Sequence, residues 1–267
     1  MYDIIIIGGG PAAVSAALTA RNRGKTVAVI ANKADTTNLY KAEKITNYPG
    51  FAGSGAEMTE LFARQLAESG AEMIEGRVLN AVPIGKSFGV AAGSNFYESK
   101  AVILCTGINR SPLCEGETEF LGRGVSYCAT CDGMLYRGKT VAVIGDGEEC
   151  ERDAEFLQSI GCTVLRFPKK SKIGISGEMK ADTLTVDGKE YKTDCIFILT
   201  DKVTSSSLVP GIETENGAVK VDKRMKTNIA GVFAAGDCTG APYQVAIAVG
   251  EGNMAALSAC EYISNTK

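Results

Sequence analysis

Two thiols and a carboxylate stand together at Cys128-Ala-Thr-Cys131-Asp132. A two-residue spacer lets two sulfurs close a small disulfide ring, which can open to a dithiol without refolding the chain around it. The Cys-x-x-Cys context also lowers the pKa of one thiol towards the reactive thiolate. Zinc ligation is the rival chemistry for such a pair. A structural zinc site takes four ligands, yet the chain has no second close cysteine pair and no histidine, so no metal site is expected. Two inert buried thiols are the third reading. Asp132 is either an acid that handles protons beside the sulfurs or a residue that shapes the turn before Gly133. Without histidine, proton transfer must rest on carboxylate, thiol, tyrosine, lysine or a cofactor.

These residues need elements to hold them. The opening run Tyr2 to Ile7 is apolar and meets Gly8-Gly-Gly10-Pro11-Ala-Ala13 at once, followed by a small-residue helix, Val14 to Arg23, and a second strand, Thr26 to Ile30. Strand, glycine turn and helix make the start of a βαβ unit. Its glycines allow a tight turn and close approach of a pyrophosphate, and Ala13 allows close helix packing. Asn47-Tyr-Pro-Gly50 marks a turn, and Glu57 to Ser69 has the periodicity of an amphipathic helix. Ser87 to Thr106 predicts a β-hairpin whose last strand ends at Thr106 and Gly107. Near the end, Gly231-Val-Phe-Ala-Ala-Gly236-Asp237 predicts a buried strand closed by a Gly-Asp turn, then a helix from about Gln244 to Ile263. Asp237 is a candidate ligand contact or a simple turn or cap residue.

A second strand-to-glycine turn, Val141-Ala-Val-Ile-Gly145-Asp146-Gly147-Glu148-Glu149-Cys150, carries carboxylates where a dinucleotide phosphate would lie. The composition sets the outer bounds. With 267 residues and 45% hydrophobic content, the chain can build one large or two modest domains. A net charge of −3 with both signs interspersed argues against a nucleic-acid surface. The N-terminal apolar run is too short to cross a bilayer and has no basic flank. Nine cysteines with one special pair and no visible export signal point to a reducing, cytoplasmic setting. Cys105, Cys162 and Cys195 lie in or beside apolar strands, where cysteine behaves as a small hydrophobe.

The stretches IIIIGGGPAAVSAA, NYPG, AVILCTG, GRGVSYCATCDG, VAVIG and GVFAAGDCTGAPYQVAIAVGEGNMAA, in this order, resemble the low-molecular-weight thioredoxin reductase family of flavoproteins. The resemblance implies an α/β fold of two Rossmann-like domains of the three-layer ββα type, as in the pyridine nucleotide-disulfide oxidoreductase class, the second one trimmed. It implies a discontinuous FAD-binding domain, residues 1–112 plus 229–267, and an inserted redox-disulfide domain, 113–228. Carried over, Gly8, Gly10, Pro11 and Ala13 frame the FAD pyrophosphate, with Thr106, Gly107 and Gly236 as further cofactor contacts. Asp237 meets the ribityl chain, Asn47 lies beside the isoalloxazine, and Gln244, Val245 and Ala246 meet its pyrimidine end. Cys131 is implied as the flavin-facing thiol, Cys128 as the thiol that exchanges with the partner disulfide, and Asp132 as the acid. The family also suggests a homodimer.

One departure decides the expected electron donor. NADPH-dependent members carry a second GxGxxA turn and a basic cluster for the 2′-phosphate, whereas this chain offers Asp146, Glu148 and Glu149, with only Arg166, Lys169, Lys170 and Lys172 nearby. Between Pro168 and Cys195 there is room for a short connection and a hairpin at Thr183 to Tyr191, not for a full nucleotide domain. This departure resembles the ferredoxin-dependent flavin thioredoxin reductases. It implies FAD reduced by successive single electrons from ferredoxin, with thioredoxin as final acceptor and the basic cluster as a docking patch. No cluster-binding cysteine spacing occurs here, so any Fe–S centre belongs to the partner. Two alternatives stand beside this reading: an NAD(P)H-dependent disulfide reductase of the same fold, and a non-catalytic flavin redox sensor.

Overall fold

The computed structural model describes residues 1–32, 37–107, 113–199 and 208–266, with the backbone alone for Cys131 and Glu149. The chain divides into two compact units. One holds the described residues of Met1–Tyr40, Tyr48–Asn109 and Lys202–Lys267, and the other those of Lys41–Asn47 and Arg110–Asp201.

The first unit begins with β1 (Tyr2–Ile7), in which Ile4 to Ile7 are all buried. A continuous apolar run, instead of alternation, is what a parallel strand covered on both faces requires. α1 (Pro11–Asn22) starts straight after the glycines with Pro11 in its first turn, where the missing N–H costs nothing. β2 (Val27–Ala31) pairs parallel to β1, Ile4 opposite Val27. α2 (Asn38–Lys41), β3 (Ile45–Tyr48) and β4 (Phe51–Gly53) lead to α3 (Gly55–Glu68). A capping box starts α3. Ser54 N–H donates to Glu57 Oε2 at 2.7 Å, and Glu57 N–H donates to Ser54 Oγ at 3.2 Å.

β5 (Glu72–Glu75), β6 (Val78–Ile84), β7 (Ser87–Ala92) and β8 (Asn95–Leu104) follow. The expected hairpin is the β7–β8 pair, and β8 runs on out of it to lie parallel beside β1, Leu104 opposite Ile7. The sheet order is β5-β2-β1-β8-β7-β6, which puts β1 and β8 in the centre.

The second unit holds β9 (Val125–Ser126), α4 (Ala129–Asp132), a 3-10 turn over Gly133–Tyr136, β10 (Thr140–Gly145), α5 (Glu148–Ser159) and β11 (Thr163–Phe167). β12 (Ile173–Gly177), β13 (Ala181–Val186), β14 (Lys189–Lys192) and β15 (Cys195–Leu199) complete it. β11-β10-β15-β9 form a parallel sheet, and β12-β13-β14 an antiparallel one. The predicted hairpin is β13–β14, turned by Asp187 and Gly188 at φ +50° and +84°, the backbone that a two-residue hairpin loop demands. β12 adds a third strand to it. Between β11 and β15 no helix is described, so α5 is the unit's one crossover helix among the described residues.

The chain then returns to the first unit through β16 (Thr214–Glu215), β17 (Ala218–Val219), β18 (Val232–Ala234) and α6 (Val245–Asn265). β18 lies parallel to β8, and α6 packs on α1 so closely that a Cβ on Gly252 would lie 2.1 Å from the Ala12 carbonyl oxygen.

Two boundaries differ from the expected 1–112, 113–228 and 229–267. Residues 208–228 belong to the first unit, because Val209, Ile212 and Val219 are buried in the same core as Ile5, Ile7 and Leu104, and Ala81 N–H donates to Leu208 O at 2.7 Å. Residues 41–47 go with the second unit. There Gly122, at φ +79°, brings its α-carbon so near the Lys41 carbonyl that a Cβ would sit 1.7 Å from the oxygen.

Candidate functional site

Each unit carries half of the chemistry. In the first, the predicted cofactor residues gather where β1, β8 and β18 end and α1 and α6 begin, at the carboxyl ends of parallel strands. Gly8, at φ +117°, lies against the end of β8, where a Cβ would come within 2.0 Å of Cys105 O and 3.2 Å of Thr106 N. Gly107 follows at φ +65°. Gly10 caps α1 with no side-chain hydrogen bond, the first turn holds no acid, and nothing lies within 4 Å of the place where its Cβ would be. Helix N–H groups facing open space, with no side chain of their own to satisfy them, fit a phosphate-bearing group such as the FAD pyrophosphate.

Gly236, at φ +80°, brings the Asp237 turn onto α1: a Cβ there would lie 2.9 Å from the Ala12 Cβ and 3.6 Å from that of Ala248. Gln244 caps α6 in extended conformation without a side-chain bond, and Val245 and Ala246 form its first turn. Pro11 and Ala13 sit in the first turn of α1. Asn47 falls in the second unit, exposed on β3.

One residue of this cradle was not singled out in the sequence. Glu251 reaches back from α6 and accepts from Gly236 N–H at 2.8 Å and from Thr239 Oγ at 3.1 Å, fixing the turn that carries Asp237. A carboxylate within a run of small and apolar helix residues was the available signal.

The second unit positions the thiols. Cys128 is the extended N-cap residue of α4, and Asp132 N–H donates to Cys128 O at 3.2 Å, closing one helical turn over the whole Cys-Ala-Thr-Cys-Asp stretch. Cys128 is in disulfide form, and Cys105, Cys114, Cys150, Cys162, Cys195, Cys238 and Cys260 are free thiols. The Cys131 side chain lies outside the described residues. Gly133 admits α5 from behind, since a Cβ there would meet Leu157 at 2.9 Å and Phe156 at 3.1 Å.

Asp132 is largely buried, which pushes its carboxyl above the usual carboxylate range, and the hydrogen bond from Ser126 Oγ at 2.7 Å opposes the shift. A carboxyl held towards its protonated form beside sulfurs can act as an acid. Burial also raises Tyr136 and Cys195, and it pushes the Cys150 and Cys238 thiols up to about 11. Thiols so raised are not thiolates near neutrality, so Cys150, Cys195 and Cys238 act as core atoms.

The acidic turn is tied to its neighbours in the same unit. Gly145 tolerates no Cβ, which would lie 2.1 Å from Leu199 O, and Gly147 at φ +96° caps α5 without a side-chain bond. Asp146 Oδ2 accepts from Lys169 N–H at 3.3 Å. Arg166 is exposed but engaged: it pairs with Glu151 of α5, and its second amino group reaches Gln158 Oε1 at 3.5 Å. Glu148 is exposed, and the Glu149 side chain lies outside the described residues.

Known proteins share this arrangement. The profile of the Pyridine nucleotide-disulphide oxidoreductase family matches residues 2–173 and 160–252. Thioredoxin reductase from Treponema pallidum (strain Nichols) is 31% identical, over 98% of this chain and 97% of that protein. The structure of thioredoxin reductase from Streptococcus pyogenes MGAS5005 matches with a TM-score of 0.87 at 28% identity, over 99% of both chains. That of a Ferredoxin-Flavin Thioredoxin Reductase from Clostridium acetobutylicum matches with a TM-score of 0.62 at 39% identity, over 99% of this chain and 98% of the other. With a glycine cradle in one unit, a Cys-x-x-Cys turn in the other and relatives aligned along its length, the chain belongs to the pyridine nucleotide-disulphide oxidoreductase family, within its thioredoxin reductase group.

Proposed function

We propose that the protein is an FAD-dependent disulfide oxidoreductase that reduces thioredoxin through Cys128 and Cys131, with reduced ferredoxin as the electron donor. The observation that carries it is the contrast between the two glycine turns. The first opens onto a helix N-terminus with no acid and no side-chain cap. The second is flanked by the carboxylates of Asp146 and Glu148, and Arg166, which could meet a 2′-phosphate, is paired with Glu151. At about 5 Å and an effective dielectric of about 20, each unit charge facing a phosphate charge costs on the order of 3 kcal/mol. Two such acids weaken NADPH by at least about a hundredfold. The same acids are favourable at the positive end of their own helix, so a phosphate there would have to compete with them.

Gly8, Gly10, Pro11, Ala13 and the Gly236-Asp237 turn would hold FAD, which would supply a centre able to accept electrons singly and deliver them in pairs. Thr106, Gly107, Asn47 and the start of α6 at Gln244, Val245 and Ala246 complete its expected contacts. Cys128 is in disulfide form while seven of the nine cysteines are free, which supports Cys131 as its partner. Opening that disulfide takes two electrons and two protons, and Asp132 is the nearby acid. Cys128 then attacks the thioredoxin disulfide. A mixed disulfide forms, Cys131 displaces it, and thioredoxin leaves as the dithiol while the enzyme pair closes again.

The setting proposed is the cytoplasm, with the enzyme as a homodimer; among the described residues no helix is long and apolar enough to cross a membrane. Lys169, Lys170 and Lys172 support a competing assignment in which NADPH is the donor. An anaerobic titration separates the two: the flavin band is followed while NADPH, NADH and reduced ferredoxin are added in turn, then thioredoxin thiols are counted. Bleaching by ferredoxin alone followed by thioredoxin thiols is the expected result, and bleaching by micromolar NADPH overturns the donor assignment.

A further inference from the structure

We propose that Ser126 is a positioning residue of the redox turn, a clip that ties the Asp132 carboxyl and the backbone of Cys128 to one point on a buried strand. Its hydroxyl donates to Asp132 Oδ2 at 2.7 Å and accepts from Cys128 N–H at 3.1 Å. A serine hydroxyl has one proton, and the nearer acceptor takes it: Cys128 O lies 3.4 Å away against 2.7 Å for the carboxylate. The clip is anchored, because Ser126 is 5% exposed and ends β9, paired in register opposite Phe197 of β15. Residues i and i+4 share a helix face, so Cys128 and Asp132 are already neighbours along α4. A one-turn helix alone holds a carboxyl loosely; the strand-borne hydroxyl removes that freedom and keeps the acid in register with the Cys128 backbone.

The surroundings make this hydroxyl matter. Asp132 faces Tyr136 from the 3-10 turn and Cys195 from β15, which are hydrogen-bonded to each other, with Cys162 beside Cys195 and Glu43 facing Tyr136. From α5, Cys150 packs in the same core as Ala129, and Asp146, Glu151, Asp153 and Arg166 act on that thiol. Among the described residues no cation acts on Asp132, and the Ser126 bond opposes burial. Removing the hydroxyl thus leaves the carboxyl in its protonated form to higher pH.

The clip rests on the proposed thiol–disulfide reading, and the test separates the two. Holoenzyme is reduced with dithiothreitol, the pair is alkylated with iodoacetamide across pH 5 to 9, and the rates at Cys128 and Cys131 are read by mass spectrometry. Wild type is expected to show a break in rate linked to Asp132, absent in Asp132→Asn. In Ser126→Val the break moves up by about one pH unit, while in Ser126→Thr, of the same shape but with the hydroxyl, it stays near the wild-type position. Thr and Val variants with the same profile overturn the clip. A wild-type protein whose pair forms no reversible disulfide overturns the underlying reading instead. Because Thr and Val differ only in the hydroxyl, a general loss of folding would affect both alike and is read from their melting curves.

Discussion

Changing Gly8 and Gly10 separately to alanine separates folding from cofactor binding in the cradle. At Gly8 the new methyl would lie 2.0 Å from Cys105 O and 2.6 Å from its carbonyl carbon, both backbone atoms of a central strand end, at φ +117°. Relief needs a movement of more than an ångström in the sheet. Overpacking of this kind costs about 1–3 kcal/mol, and the left-handed backbone adds about 1–2. Gly8→Ala therefore loses on the order of 3 kcal/mol, a large share of the 5–15 or so that a domain holds. At Gly10 the methyl meets nothing within 4 Å and φ is −81°, where any residue fits. Gly10→Ala is expected to fold as well as wild type, or about 0.4–1 kcal/mol better through its stiffer unfolded chain. Its methyl, however, fills the space assigned to the pyrophosphate, and FAD affinity is expected to fall at least about tenfold, or about 1.4 kcal/mol. Urea unfolding of the flavin-free chains gives the first quantity, and fluorescence quenching on FAD addition gives the second. A Gly10→Ala protein that binds FAD as tightly as wild type refutes the cradle at α1.

Four further outcomes are expected. Replacing Asp146, Glu148 and Glu151 together by their amides strengthens binding of adenosine 2′,5′-bisphosphate by about tenfold to a hundredfold, measured by calorimetry; no gain means that these charges are not what excludes the nucleotide. Removal of the exposed Arg166–Glu151 pair itself costs less than about 1 kcal/mol of stability. Asp132, whose folded pKa is raised, contributes stability below its unfolded value, near 3.8, and that contribution is lost as pH rises through the folded value. Asp132→Asn should thus unfold at higher urea than wild type at pH 7, with the advantage shrinking towards pH 4, and an advantage independent of pH contradicts the assigned burial cost. Glu251→Ala leaves the Gly236 N–H without its 2.8 Å partner. It should cost about 1–3 kcal/mol and lower FAD retention on gel filtration, with Glu251→Gln intermediate.

What could be read in the sequence was local. Ile4 to Ile7, the glycines after them, and the strand at Val232 to Ala234 announce themselves because a buried parallel strand must be apolar throughout and its turn must be glycine. Helix α3 was visible in its periodicity and lay two residues from its expected start. The second unit's lack of a helix between β11 and β15 was foreseen from length alone, but β12, with Gly174, Ser176 and Gly177 in it, has no strand-like composition and was missed. Contacts across sequence distance were out of reach. Arg166 and Glu151 meet only because β11 returns parallel to β10 alongside α5, and the basic cluster looked free until that crossover was in place. Residues 208–228 carry only Val209, Ile212 and Val219 as buried apolar signals, too few to show which core they would enter. The Ser126 link needed the register of a two-residue strand.

The raised thiols set how this chain meets electrophiles. A thiol at about 11, as at Cys150 and Cys238, is ionised at neutral pH in only about one molecule in ten thousand. Disulfide interchange proceeds through the thiolate, so Cys150 and Cys238, held protonated, do not compete in the exchange proposed at Cys128. A protein with nine cysteines is thereby spared scrambling of its own pairings. Mild peroxide or maleimide treatment of the reduced protein should leave its mark at the redox turn first, with the partly exposed Cys114 as the next site.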